Sequence, residues 1–297
     1  MEIDNLSYQL KYYPPDKFLK LVKRKLLKTP PIESFEPEHP CVFVLSTGRV
    51  GSQTLAHLCM QAKNVFAYHE AEPQLFGLSA LAYELFDPNR SEEPLNRLLQ
   101  EGFLTARKDL LDLSLYCAKG YIETGPHATF LAPTILSLFP GVRFIHLVRS
   151  PRDVVRSGMR RKWYGGHHYD PYRIQPNADS PFQMMWQDMN AFDRNIWLWA
   201  ETNHWIMKFF QTLPAVQTIT IRSEDIFTGH EKTIQDLFDF IGSEMPKKAK
   251  MNRILNRKMN AQQTGVFKVP AGWLESTSDS LKRFLREIAS QLGYEIE

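Results

Sequence analysis

Short apolar runs alternate along the chain with longer segments of helical periodicity. The run 41–46 (CVFVLS) is apolar at nearly every position, as expected for a central strand of a parallel sheet covered on both faces. After Ser52, the apolar residues from Leu55 to Ala62 follow the i, i+3, i+4, i+7 spacing of a helix. This pattern predicts a buried strand that leads through a turn into a helix packed on the sheet.

The same pattern continues to the end of the chain. It predicts further strands at 65–69, 119–123, 142–148 and 216–221, and helices at 73–86, 91–117, 127–139, 181–212, 231–241 and 279–291. Strands alternating with helices indicate an α/β fold, a three-layer domain with a central parallel sheet. We assign it to residues 41–297, after an N-terminal helix and proline-rich lead-in over 1–40, because no linker marks a second domain.

Composition excludes several classes of protein. Of 297 residues, 43% are hydrophobic and 23% are charged, as in an ordinary globular protein, and a net charge of +3 predicts no nucleic-acid partner. Three cysteines without a C-x-x-C pair argue against a disulfide framework or zinc knuckle and predict a reducing, cytoplasmic compartment. No apolar run approaches the roughly 18 residues of a membrane span. The basic segment 16–28 is interpreted as a solvated helix, with weak contact to a membrane surface as the alternative.

The turn after the first strand has the composition of an anion-binding loop. Gly48 and Gly51 permit tight curvature, backbone N–H groups and hydroxyls at the helix start can point at an anion, and Arg49 supplies a permanent charge. The alternative is a capped helix with a chance arginine. The predicted binding residues are Thr47, Gly48, Arg49, Val50, Gly51, Ser52, Gln53 and Thr54.

A second basic element follows the strand 142–148. Arg149 directly follows the carboxyl end of that strand, where open α/β sheets bind their ligands. Ser157 lies about two helical turns further on, so its hydroxyl can meet an anion that Arg149 also holds. Otherwise Arg149 caps the sheet edge and Ser157 is an ordinary helix residue.

Together the two stretches resemble a known family. "LSTGRVGSQTL" is similar to the 5′-phosphosulfate loop of sulfotransferases that use 3′-phosphoadenosine-5′-phosphosulfate (PAPS), in the arginine version of carbohydrate and protein-tyrosine sulfotransferases. "FIHLVRSPRDVVRSG" resembles the 3′-phosphate motif of the same family. The resemblance implies transfer of a sulfuryl group from PAPS to an acceptor hydroxyl, with PAP as product and without a metal.

Three further stretches extend the resemblance. "TIRSEDI" (220–226) is similar to a family strand end, with Ser223 where a tyrosine usually lies against the adenine. "GVFKVPAGW" (265–273) resembles a late loop that covers the nucleotide, which implies roles for Lys268 and Trp273. "YIETGPH" (121–127) resembles an acceptor-side stretch, which implies that Glu123, and with it His127, lies beside the acceptor.

The resemblance also implies where the catalytic base lies. In related enzymes a carboxylate base follows the loop by some twenty residues, and here that place reads "VFAYHEAEPQLF". Glu70 and Glu72 both face the cleft if the segment stays extended, with His69 outward, because side chains of a strand alternate. Glu70, Glu72 and His69 are all candidates for the base, and the alternative is an acidic cap on helix 73–86.

Residues 163–180, which we name the lid segment, show no helical or strand periodicity of apolar residues and are predicted to form a long functional loop. His167, His168 and Tyr169 are expected in the acceptor-facing wall, with the two histidines pointing in opposite directions and sharing no metal. We expect the acceptor to be a carbohydrate, a glycolipid or a small alcohol. The alternatives are a nucleotide-dependent kinase, disfavoured because no G-K-[ST] is present, and a nucleotide-binding module without catalysis.

Overall fold

The computed structural model describes residues 39–85, 93–256, 267, 269 and 272–296. The predicted N-terminal helix and its basic segment 16–28 therefore lie outside the described residues. None of the described helices is both long enough and apolar enough to cross a lipid bilayer.

Five strands form one sheet in the order β2-β3-β1-β4-β5, and every neighbouring pair is parallel. The strands are β1 (Cys41–Leu45), β2 (Val65–His69), β3 (Gly120–Thr124), β4 (Arg143–Val148) and β5 (Thr218–Arg222). All five residues of β1 are buried. Because successive side chains of a strand point to opposite faces, both faces of the sheet centre are covered. The predicted α/β fold with a central parallel sheet is confirmed.

The described residues contain ten α-helices. These are α1 (Ser52–Cys59), α2 (Phe76–Leu85), α3 (Glu93–Tyr116), α4 (Ala132–Leu138), α5 (Pro151–Arg160), α6 (Ala191–Gln211), α7 (Ser223–Thr228), α8 (Glu231–Phe240), α9 (Lys248–Leu255) and α10 (Asp279–Gln291). Aromatic contacts join helices to the sheet, as where Phe43 of β1 meets Phe103 of α3 and Phe144 of β4 meets Phe209 of α6. Full burial of such a side chain contributes about 1.5–3 kcal/mol.

Some element boundaries differ from the prediction. The helix predicted over 181–212 begins only at Ala191, because the Asn190 side chain accepts hydrogen bonds from two backbone N–H groups and caps the helix there. The helix predicted over 127–139 is divided into a 3-10 turn (Pro126–Ala128) and α4. Helices α7 and α9, of six and eight residues, were not predicted.

The order of the strands locates a crevice. The chain passes from β1 to β2 on one side of the sheet, and later from β3 to β4 on the other side of β1. Such a change of direction leaves a gap at the carboxyl ends of the two central strands, where open α/β sheets bind ligands. The loop 46–51 after β1 and Arg149 after β4 both lie at this edge.

Candidate functional site

The loop after β1 makes a tight left-handed turn. The φ angles are +81° at Gly48, +60° at Arg49 and +85° at Gly51, all in the region that glycine adopts most readily. Arg49 holds this conformation without being a glycine, which is uncommon and requires support from the surrounding structure. Thr47 to Thr54 therefore form a compact turn whose last residues open helix α1.

Two side chains from elsewhere in the fold hold this loop. The Thr129 hydroxyl accepts a hydrogen bond from the backbone N–H of Ser46 and lies 3.0 Å from the Ser46 carbonyl oxygen as well. The Ser223 hydroxyl contacts the carbonyl oxygens of Val50 and Val148, so it joins the loop to the end of β4. Loop geometry is thus set before any ligand arrives, which lowers the entropy lost on binding.

The structure brings the loop and helix α5 together. Arg49 Nε donates to Ser157 Oγ at 3.0 Å, and the Arg149 guanidinium lies 3.4 Å from the Arg49 carbonyl oxygen. Arg149 also pairs with Asp153 at 3.0 Å. Arg49, Arg149 and Ser157 therefore lie together as predicted, although Ser157 contacts the loop arginine and not Arg149.

A cavity of about 620 Å³ opens beside these residues, a size typical of ligand sites. One part, which we name the loop half, is lined by the 47–54 loop except Val50, which is buried, and by Arg149, Phe227 and Leu255. The other part, the lid half, is lined by His69, Glu70, Gln74, Phe76, His127, Arg161, Trp163, His167, His168, Tyr169 and Arg173.

The cavity concentrates positive charge. Burial, and after it repulsion from Arg161, lower the pKa of Arg49 to about 10, against the attraction of Glu70. The Nε atoms of Arg149 and Arg161 are buried, and neither has a hydrogen-bond partner in the part of the chain that the structure describes. Buried donors without partners are costly unless a ligand satisfies them. The guanidinium groups thus fit a polyanion such as PAPS, whose phosphate and sulfate oxygens accept charge-assisted hydrogen bonds.

Two of the three candidate bases line the cavity. Glu70 has φ +47°, which interrupts the alternation of the strand, so that His69 and Glu70 both face the cavity. Their side chains lie 3.9 Å apart, from His69 Nε2 to Glu70 Oε1. The expectation that His69 points outward was wrong, because an extended backbone was assumed through Glu70.

Glu72 does not line the cavity, contrary to the expectation that it faces the cleft beside Glu70. Its Oε2 accepts a hydrogen bond from the backbone N–H of Gln74 at 3.1 Å, just before helix α2. Glu72 thus caps the turn that enters this helix.

His69 is held as a neutral group. Its Nδ1 lies 3.1 Å from the Thr124 hydroxyl, which itself donates to the Ser52 carbonyl oxygen. Since that hydroxyl has one proton, Nδ1 of His69 is the donor to Thr124 and Nε2 carries the lone pair. Burial lowers the pKa of His69 in spite of the neighbouring Glu70.

Glu123 does not lie beside the acceptor space. Its carboxylate is 3% exposed and accepts two hydrogen bonds of 2.7 Å from Arg107 and one from the Tyr121 hydroxyl. The expectation of a substrate-binding Glu123 is therefore corrected: this carboxylate forms a buried ion pair between β3 and α3, and both of its oxygens already accept hydrogen bonds there.

The lid half has mainly aromatic walls. Tyr169 stacks on Phe76 with 5.4 Å between ring centroids, and its hydroxyl donates to Gln74 at 2.7 Å. His127 meets Phe76 edge to face, and burial lowers the pKa of His127. Arg173 lies 4.1 Å above the Trp163 ring.

His167 and His168 also belong to this wall, but their rings stack 4.4 Å apart and do not point in opposite directions as expected. The reason is a turn at this point, held by the Asp170 carboxylate, which accepts the N–H groups of Gly166 and His167. Among the described residues, no group of three potential metal ligands occurs.

The late stretch 265–273 adds little to the cavity. Lys268 lies outside the described residues. Trp273 is buried, meets Phe192 edge to face at 6.1 Å between centroids, and does not line the cavity. This tryptophan packs inside the fold, contrary to the expectation that it covers the nucleotide.

Phe227 and Arg161 are among the cavity residues that were not selected from the sequence. Phe227 lies over the loop, since a Cβ on Gly51 would be 2.5 Å from its ring, and over Arg149 at 5.3 Å. Phe227 stands four residues after Ser223, so the helical spacing in "SEDIF" was the available signal. Arg161 was visible only as part of a general basic cluster.

Comparisons with known proteins agree with this geometry. A family model described as "Sulfotransferase family" matches residues 40–247. A search of curated protein sequences gives no match.

Solved structures similar to the chain include two sulfotransferase domains, one from the curacin biosynthetic pathway and one from the Synechococcus PCC 7002 olefin synthase. The first shares 17% identity with a TM-score of 0.52, covering 87% of this chain and 99% of its own. The second shares 15% with a TM-score of 0.53, covering 91% and 99%. A sulfotransferase from Alicyclobacillus acidocaldarius is similar at 10% identity and a TM-score of 0.51, covering 87% and 97%. At these identities the likeness concerns the fold.

Proposed function

The chain belongs to the sulfotransferase family, and from this premise we propose that it transfers the sulfuryl group of PAPS to a hydroxyl held in the lid half, with Glu70 as the base. The observation that carries this proposal is the shared cavity, in which Arg49 and Arg149 stand on one side and Glu70 on the other.

In this proposal the loop half binds the donor. Arg49 and the N–H groups at the start of α1 hold the 5′-phosphosulfate, since a helix N-terminus and a guanidinium both favour anions. Arg149, with Ser157 nearby, holds the 3′-phosphate. Arg149 now pairs with Asp153, and because this pair is partly exposed to solvent, a phosphate can replace it.

We propose that the ring of Phe227 stacks on the adenine of PAPS. Ser223, which occupies the place of the family tyrosine, is buried and bonded to backbone carbonyls, so it offers no ring. Phe227 lies between the loop and Arg149 with 39% of its surface exposed. A base attached to the ribose between the two phosphates can stack on this ring.

PAPS supplies an activated sulfuryl group. The residues of this chain orient the two reactants and accept the proton of the acceptor hydroxyl. Glu70 lies at the mouth of the lid half with 40% of its side chain exposed, so it can reach an acceptor hydroxyl and take its proton. His69 is neutral and fixed by Thr124, which makes it a hydrogen-bond partner that orients the acceptor or Glu70.

The walls of the lid half suit an acceptor with a flat, weakly polar face. Phe76, Trp163 and Tyr169 present rings, and the rim offers Gln74 and His127 as polar groups. Aromatic rings stack against sugar rings and cover hydrocarbon equally well. We therefore propose a carbohydrate, a glycolipid or a small alcohol as the acceptor class.

The test is transfer of labelled sulfate from PAPS across a library of sugars, glycolipids and small alcohols. We expect one acceptor class to be labelled, and Arg49→Ala to abolish labelling. PAP at about 100 times its Kd should stabilise the fold by about 2.7 kcal/mol in thermal unfolding. Stabilisation by ATP with magnesium, together with none by PAP, would support a kinase instead. Binding of PAP without labelling of any acceptor would indicate a nucleotide-binding module.

A further inference from the structure

Arg161 directly follows helix α5 as its C-cap residue, four positions after Ser157. Ser157 Oγ accepts a hydrogen bond from Arg49 Nε at 3.0 Å. Arg49 and Arg161 line the same cavity.

The charge of Arg161 is not compensated. Arg149 pairs with Asp153 and Arg173 pairs with Asp170, each at 3.0 Å. In the part of the chain that the structure describes, Arg161 has no ion pair, and its buried Nε has no hydrogen-bond partner. After burial, repulsion from Arg161 is the largest influence that lowers the pKa of Arg49. Two guanidinium groups that line one cavity favour an anion that both can contact.

Next to the end of β3, no Lys or Arg lines the cavity among the residues that the structure describes. Thr124 stands at the end of β3, where its hydroxyl donates to the Ser52 carbonyl oxygen and contacts His69. His69 is uncharged at neutral pH, since burial lowers its pKa. On the lid side, the uncompensated charge next to Arg49 is that of Arg161.

We propose that Arg161 is a second cation of the sulfuryl site, where it and Arg49 together contact the sulfuryl oxygens of PAPS. This rests on the proposed function, in which Arg49 holds the 5′-phosphosulfate. Arg161 lies towards the lid half, where His167 also lines the cavity, so it stands on the side from which the acceptor approaches.

During transfer, the bond between sulfur and the 5′-phosphate oxygen breaks and its electron pair stays on that oxygen. A bond forms between sulfur and the acceptor oxygen, whose proton goes to Glu70. No atom changes its oxidation state, so the transfer needs no oxidant or reductant. The sulfuryl oxygens remain negatively charged throughout, so a fixed cation beside them stabilises the transition state.

The test compares two ligands that differ by the sulfuryl group. PAPS contains it and PAP does not, and isothermal titration gives the Kd of each without an acceptor. We expect Arg161→Gln to weaken PAPS binding about tenfold or more, the value of a lost charge-assisted contact, and to leave the Kd of PAP within about threefold. Arg161→Lys should recover part of the PAPS affinity. Retained PAP binding shows that the variant is folded.

The matched control is Lys162→Gln, which removes the same charge from the next residue. Lys162 is exposed and does not line the cavity, so both Kd values should be unchanged. Equal weakening of PAP and PAPS by Arg161→Gln would mean that Arg161 binds a phosphate. No change for either, or a rise only in the KM of the acceptor, would place Arg161 outside the donor site. If the wild type binds neither nucleotide, the proposed function itself fails.

Discussion

The two halves of the cavity are built in different ways. The loop half comes from backbone turns at the carboxyl ends of β1 and β4, held by hydroxyls of Thr129 and Ser223. The lid half comes from side chains of separate segments, with left-handed backbones at Glu70 and at Tyr164 in the lid segment. An anion is recognised by fixed N–H groups and charges, so the first half needs few residues in one arrangement. The second half is assembled from side chains whose positions depend on packing.

The charges of the two halves differ as well. The loop half offers the guanidinium groups of Arg49 and Arg149, and Arg149 pairs with Asp153. The lid half holds Glu70 beside two histidines, His69 and His127, whose pKa values are lowered by burial. In the proposed reaction, anion binding and proton transfer would thus take place in adjacent but different environments. Substitutions should therefore affect nucleotide affinity in one half and turnover in the other.

The largest expected effect is at Glu70. Glu70→Gln keeps the size of the side chain but cannot accept the acceptor proton, so turnover should fall about 10²–10⁴-fold, the usual contribution of a general base. The Kd of PAP should stay within about threefold. Steady-state rates with an acceptor found by labelling, and titration with PAP, measure both.

Two neighbours serve as controls for Glu70. Glu72→Gln should lower turnover less than tenfold, because Glu72 caps a turn and does not line the cavity. His69→Ala should also lower the rate at neutral pH less than tenfold, because His69 orients a partner and does not take the proton. An active Glu70→Gln enzyme beside an inactive His69 variant would give the role of the base to the imidazole.

The next effect concerns the nucleotide alone. Arg149→Ala should weaken PAP binding by about 1.5–3 kcal/mol, the value of a hydrogen bond to a charged group, without loss of the fold. Adenosine 5′-phosphosulfate, which lacks the 3′-phosphate, should be nearly indifferent to this change. Isothermal titration of both ligands measures the two changes in affinity. An equal loss of affinity for both would mean that Arg149 does not bind the 3′-phosphate.

The smallest effect is at Phe227. If its ring stacks on adenine, Phe227→Ala should weaken PAP and PAPS alike by about 1–2 kcal/mol, within the range of base–aromatic stacking. Phe227→Trp should retain the affinity because it keeps an aromatic face. Equal or tighter binding by the alanine variant would show that the ring only covers Gly51 in the free protein.

The order of strands and helices could be predicted from the sequence because it depends on local periodicity. β2 was predicted with its observed bounds, and the other strands to within two residues at each end. The helix predicted from 181 began too early, because apolar residues such as Phe182 and Trp186 are buried in irregular turns and imitate a helical stripe. Periodicity reports burial, and burial does not require a helix.

By itself the sequence determined the α/β fold, the glycine-containing turn with Arg49 and the approach of Arg149 to it, since these follow from strand–turn–helix segments of a parallel sheet. Only the tertiary structure decided the side-chain roles. It turned His69 and Glu70 to one cavity through a single left-handed residue, enclosed Glu123 with Arg107, and placed Phe227 and Arg161 beside the loop. These outcomes depend on which segments pack together and on one backbone angle, and neither is visible in the spacing of residues along the chain.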